Sequence, residues 1–119
     1  MRSKFLLAVV LAALPSFAFA ETKVGGTYDV KGTNFDGSPY GGQAEIVASS
    51  NTTCRITWRT GGSTSQGFCM RDDYSLAAAY SLGNAIGLVI YQIESDGTLR
   101  GVWTIKDKSG AGTEVLTPR

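Results

Sequence analysis

Histidine does not occur in this 119-residue chain, and cysteine occurs only twice, at Cys54 and Cys69. Without histidine, the usual general base of hydrolytic and transfer mechanisms is missing, as is the commonest metal ligand. Two cysteines fall short of the four ligands a structural zinc site needs. No serine-centred nucleophile motif is evident. The single adjacent acidic pair, Asp72-Asp73, reads as a turn, because neighbouring residues on a strand point to opposite faces. The sequence therefore offers no catalytic residue, no metal ligand and no cofactor site, and a non-catalytic protein is expected. A strong charge of one sign is missing as well, with 11 basic residues against 10 acidic ones. Such a balance gives no field to recruit nucleic acid or an anionic membrane.

The first twenty residues have the character of a signal peptide. Arg2 and Lys4 precede an apolar run from Phe5 to Leu14, and the segment closes on the small-x-small sequence Ala18-Phe19-Ala20. A membrane anchor needs about 20 consecutive apolar residues, and Pro15-Ser16 interrupts this run early. The mature chain is expected to start at Glu21, without the cysteine of a lipoprotein, in the periplasm or outside the cell and with no transmembrane segment. Removing Arg2 and Lys4 leaves nine basic residues against ten acidic, so the mature charge is about −1. Residues 21–119 suffice for a single domain with a modest core.

That domain reads as all-β. The stretch Gly87–Ile105 places Ser95-Asp96-Gly97-Thr98 between two runs rich in β-branched and aromatic residues. Asp-Gly in that position signals a tight hairpin with φ > 0 at both turn residues. The same grammar recurs around Asp36-Gly37-Ser38, where a longer, ordered or bulged connection is expected. Two-residue alternation marks strands through Tyr28 and Val30, through Tyr40 to Ala48, and through Cys54, Ile56 and Trp58. The alanines of Tyr74–Leu82 invite a helix, but alternating tyrosines and serines keep the period of a strand. The next strand is apolar on both faces, with Ile86, Leu88 and Ile90 alternating with Val89, Tyr91 and Ile93. Such a strand is covered on both sides or touches something. Thr113–Thr117 is the last of eight short strands, and closure into an up-and-down β-barrel would remove the exposed edges of such a meander. Asn51-Thr52-Thr53 is formally a glycosylation sequon but reads as a polar turn.

An even cysteine count in an exported chain favours a Cys54–Cys69 disulfide. With Gly61-Gly62 at the centre of a turn, residues whose numbers sum to 123 face each other, so Cys54 meets Cys69 and Arg55 meets Phe68. Directly opposed residues are close enough to be bridged. The same register turns Phe68 and Met70 to the face of Arg55 and Arg59. Either that face is partly apolar and exposed, or a glycine bulge shifts the register. In the first case Arg55, Arg59, Phe68 and Met70 form a cationic and apolar patch of the composition enriched at protein interfaces.

The pattern Gly26-x-Tyr28-x-Val30-x-Gly32-x-Asn34-x-Asp36-Gly37-Ser38, with Asp96-Gly97-x-Leu99-x-Gly101-x-Trp103-Thr104 and Gly112-Thr113-Glu114-Val115-Leu116-Thr117-Pro118, resembles a group of small exported bacterial proteins, some labelled fibronectin-binding protein. The resemblance implies an exported bacterial protein, and with the label and the Arg55, Arg59, Phe68 and Met70 patch the expected function is binding of a protein partner: a host matrix protein, an envelope protein or another copy of the chain. The alternatives are a small-molecule barrel of the lipocalin or avidin type and an inhibitor of the periplasmic lysozyme-inhibitor type. For the former, Tyr28, Trp58, Tyr80, Tyr91 and Trp103 are the lining candidates, unless these aromatics simply fill the interior, as side chains do in an eight-stranded barrel. Trp103 is expected to be a core anchor rather than a ligand contact.

Overall fold

The structure, a computed structural model, describes residues 21–119, so the expected signal peptide lies outside the described residues. Eight strands follow in order: β1 (Gly26–Thr33), β2 (Pro39–Ala48), β3 (Thr53–Thr60), β4 (Ser63–Arg71), β5 (Ser75–Leu82), β6 (Ala85–Ile93), β7 (Leu99–Ile105) and β8 (Gly112–Pro118). Each pairs antiparallel with its sequence neighbour, and β8 returns to β1, closing an up-and-down barrel. Closure leaves no unpaired edge, which is how short strands with exposed apolar side chains avoid edge-to-edge association.

The 123 register is present as expected: Cys54 faces Cys69, Arg55 faces Phe68 and Ile56 faces Gly67. Cys54 and Cys69 are bridged across a Cα separation of 4.9 Å. Gly61 and Gly62, with φ of 56° and 79°, form the two-residue turn that sets this register, since only such a left-handed pair matches the twist of the flanking strands.

The first Asp-Gly loop is the longer, ordered connection expected, while the second differs from the tight turn expected. Ile93 pairs with Leu99, and Thr33 pairs with Pro39, so each loop has five residues and the second is no tighter than the first. In both, the first residue's amide donates to the carbonyl of the fifth, Asn34 to Ser38 (2.8 Å) and Glu94 to Thr98 (2.9 Å). Only the glycines Gly37 and Gly97 have positive φ, at 85° and 89°. Asp36 and Asp96 instead accept the amides of Ser38 and Thr98 through their side chains, both at 2.9 Å. The aspartates thus stabilise the loop by side-chain capping; the Ser38 hydroxyl, donating to Asp36 at 2.6 Å, and then the Ser38 amide hold the Asp36 carboxyl below the ordinary carboxylate range, and the Thr98 amide does the same for Asp96.

The barrel has one filled end. Leu76, Ile93, Leu99, Leu116 and the disulfide pack there, and Val24 lies against them. The Arg71 side chain ties the segment before β1 across that end, donating to the Thr22 carbonyl at 2.7 Å and pairing with Glu21 at 3.4 Å. The opposite end is bounded by the β1–β2, β3–β4, β5–β6 and β7–β8 connections and is open.

Candidate functional site: an aromatic cavity at the open end of the barrel

Inward-facing positions near the open end pair aromatics with glycines across strands. Tyr40 faces Gly32, Tyr80 faces Gly87, Tyr91 faces Gly101, and Trp103 faces Gly112. A Cβ on any of these four glycines would collide with the ring of its partner. At Gly101 the Ile90 carbonyl lies closer than the Tyr91 ring, but the rings of Tyr40, Tyr80 and Trp103 occupy the space their neighbours' side chains would take and are drawn against the wall of the barrel. This is a device by which aromatics cover glycines in a sheet. An eight-stranded barrel is normally just wide enough for its own side chains; here, withdrawing the rings to the wall leaves a cavity of about 320 Å³. That volume lies at the lower end of the range of small-molecule sites.

Tyr40, Trp58, Tyr80, Val89 and Trp103 form its walls, Thr60, Ser63, Ser65 and Leu82 its mouth, and Glu114 its base. Trp58 and Tyr80 meet edge to face with centroids 5.2 Å apart, and Trp103 stacks on Phe35 of the β1–β2 loop at 4.9 Å. Tyr80 also donates its hydroxyl to the Thr104 carbonyl at 3.1 Å.

Glu114 is 6% exposed. Tyr40 donates to its Oε1 at 2.8 Å and Trp58 Nε1 donates to its Oε2 at 3.0 Å. Tyr91 also donates to Oε2 through a short contact. Burial raises the Glu114 carboxyl above its ordinary value despite these donors, which favour the charged form. Burial and the neighbouring carboxylate push Tyr80 up to about 12 and move Tyr40 and Tyr91 up as well, so these phenols stay neutral donors at any physiological pH. No lysine or arginine is among the described residues that line the cavity.

The sequence candidates divide among three locations. Trp58, Tyr80 and Trp103 line the cavity, Tyr91 supports its base, and Tyr28 is buried toward the filled end, where its hydroxyl accepts the Gly25 amide at 2.7 Å. Trp103 corrects the expectation of a core anchor: it is only partly buried, because the chain passes Gly112 at the rim and the ring closes the cavity wall. Arg55, Arg59, Phe68 and Met70 all lie on the outer face, with Phe68 69% and Met70 61% exposed. The geometry thus follows the unshifted register. The outer face of β6 is not covered either: Ile86, Leu88 and Ile90 are exposed, and with Phe68, Met70 and Val102 they make one flank of the barrel apolar. The bridged Cys54 and Cys69 point inward and are buried.

Two site residues escape the sequence reading. Alternation along β2 gives Tyr40 a place on one face of its strand but no role. Glu114 alternates with Leu116, so its inward direction follows from the period of two once Leu116 is assigned to the core.

Compared with family models and with curated proteins, the chain finds no match in either. Among solved structures it is similar to designed barrels. One redesigned β-barrel, b11L5F_LGL, superposes with a TM-score of 0.71 at 20% identity, over 88% of this chain and 99% of the other. The redesigned barrel mFAP1, bound to DFHBI, gives 0.68 at 24% identity over 79% and 94%. A fluorescence-activating β-barrel designed de novo gives 0.66 at 16% identity over 84% and 97%. At these identities the likeness establishes the fold and nothing further.

Proposed function

We propose that this chain is an exported, non-catalytic small-molecule-binding barrel whose ligand enters at the open end and rests between Tyr40, Trp58, Tyr80 and Trp103 above Glu114. The observation that carries this reading is the cavity itself, concave, largely aromatic and with one set of convergent polar groups at its base, the usual anatomy of a ligand site. Two of the similar redesigned barrels are bound to DFHBI, which supports a reading in which a barrel of this kind holds a small guest.

Both tryptophans of the chain line the cavity, so intrinsic fluorescence reports directly on occupancy. A panel of compact aromatic amines, alcohols and acids, fatty acids and DFHBI should contain compounds that quench or shift the emission saturably. If none changes the emission, and the cavity tryptophans remain accessible to acrylamide, the reading fails.

The apolar flank favours a second reading, a contact with a protein partner on the outside of the barrel. Its largest exposed side chains are Phe68, Met70, Leu88 and Ile90, with Arg55 and Arg59 at one margin. Host matrix protein, envelope protein and a second copy of the chain are the partners to test, by pull-down and by sedimentation at rising concentration. A strictly monomeric chain that captures nothing would remove it.

A further inference from the structure

We propose that the cavity selects a protonated amine carried on a compact apolar or aromatic body, with the ammonium group directed at Glu114 Oε1. This inference rests on the small-molecule reading and names the class of ligand within it.

The first argument is charge. Glu114 is buried, and both of its oxygens accept from the neutral donors Tyr40, Trp58 and Tyr91, the acceptor-only pattern of an ionised carboxylate. A buried charge is ordinarily paired with an opposite one, and none of the described cavity-lining residues supplies it. The charged groups nearest on the flanking strands point away: Lys31 of β1 and Arg100 of β7 both pair across to Val115, on the outer face, and Arg100 is engaged with Glu94 at 2.9 Å. The groups that do face Glu114 from the other strands are the phenols of Tyr40, Tyr80 and Tyr91, which carry no positive charge.

The second argument is hydrogen-bonding capacity. A carboxylate has about four acceptor sites, two on each oxygen. Oε2 takes two donors, from Trp58 and Tyr91, while Oε1 takes only Tyr40. One site on Oε1 remains, on a residue that forms part of the cavity surface. An N–H donor satisfies it, whereas a carboxylate or phosphate placed there would set two anions together.

The third argument is the wall. The faces of Trp and Tyr rings attract a cation through their quadrupoles, most strongly when it is desolvated. Four such rings surround the space above Glu114. Aromatic wall and carboxylate base therefore prefer the same guest.

The test uses three probes of one shape on the full mature chain: benzylamine, benzyl alcohol and benzoate, titrated by tryptophan fluorescence and calorimetry. At pH 7.5 benzylamine should bind at least about tenfold more tightly than benzyl alcohol, as a charge-assisted hydrogen bond and cation–π contact together allow, and benzoate should bind weakest. Glu114→Gln should remove that advantage, read as the ratio of benzylamine to benzyl alcohol affinity within the same variant. In the wild type, the benzylamine affinity should fall as the pH is lowered and Glu114 takes up its proton, with no parallel change for benzyl alcohol. That arm needs no variant and stands even if Glu114→Gln folds poorly. Equal binding of amine and alcohol, or an amine preference insensitive to both pH and Glu114→Gln, overturns the inference while leaving a small-molecule site. Failure of all three probes to bind overturns the inference, and the ligand-panel experiment then decides the small-molecule reading separately.

Discussion

Gly87→Ala is the most direct test of why this barrel is hollow. In an ordinary strand the substitution is favourable by roughly 0.5–1 kcal/mol, because alanine loses less conformational freedom on folding. At Gly87 the new methyl would meet only the far end of the Tyr80 side chain, its phenol carbons and hydroxyl, with no backbone atom among the nearest neighbours. Tyr80 must therefore leave the wall, breaking its bond to the Thr104 carbonyl and its edge-to-face contact with Trp58. Overpacking of this kind costs about 1–3 kcal/mol, and the backbone gain offsets only part of it. A net loss of about 1–2 kcal/mol corresponds to a Tm lower by roughly 4–16 °C for a domain of this size. The displaced ring has one direction open to it, into the cavity, so acrylamide should quench Trp58 and Trp103 less in the variant. Gly67→Ala is the control: its Cβ would meet the Ala79 backbone, which has no flexible end to yield. It should destabilise more without closing the cavity. A Gly87→Ala protein with a raised Tm and unchanged quenching would refute the account of ring placement.

Other outcomes follow from the same structure. Reducing the buried Cys54–Cys69 bridge, whose residues are 15 apart in sequence, should remove about 3 kcal/mol by the chain-entropy argument, measurable as a Tm drop on adding reductant. Glu114, whose folded-state pKa is raised by burial, holds its proton longer folded than unfolded. Its contribution to stability is therefore greatest below the ordinary carboxylate value and is lost as pH climbs to the raised one, at about 1.4 kcal/mol per unit of separation. The Tm difference between Glu114→Gln and wild type should thus grow in the variant's favour across that window; a difference independent of pH would contradict the assignment. Trp103→Leu should cost less than the roughly 3–5 kcal/mol typical of a buried tryptophan cut to alanine, because Trp103 is a rim residue, and a full core-sized loss in chemical denaturation would restore it to the core. The double substitution Arg59→Ala with Phe68→Ser should leave stability within about 1 kcal/mol and change only self-association or partner capture; a large Tm loss would show that these side chains are not free.

The closed barrel and its disulfide were legible because each depends on short-range signals. Gly61-Gly62 fixes a register, and the register places two cysteines opposite each other. The second Asp-Gly loop misled for a related reason. The dipeptide announces a turn, but it occupies the same place in two-residue and five-residue connections, and only the strand pairing of Ile93 with Leu99 distinguishes them. The cavity was not legible, because it depends on Tyr40 meeting Gly32 and Trp103 meeting Gly112, pairs separated by a turn whose length must be known first. Glu114 was within reach of the period of two, but a carboxylate beside an apolar residue is ordinarily assigned to solvent. The exposed Ile86, Leu88 and Ile90 show the opposite limit, since an apolar side chain on a strand gives no sign of whether anything covers it.

Alternation along β6 gives each strand two vocabularies that can be rewritten separately. Gly87, Val89 and Tyr91 speak to the lumen, while Ile86, Leu88 and Ile90, one residue away, speak to the surroundings. A lineage or an engineer could exchange the outer set without altering the shape of the lumen. The converse also holds, so a reshaped lumen would not require a new exterior. The two faces are interleaved in sequence yet free to vary on their own.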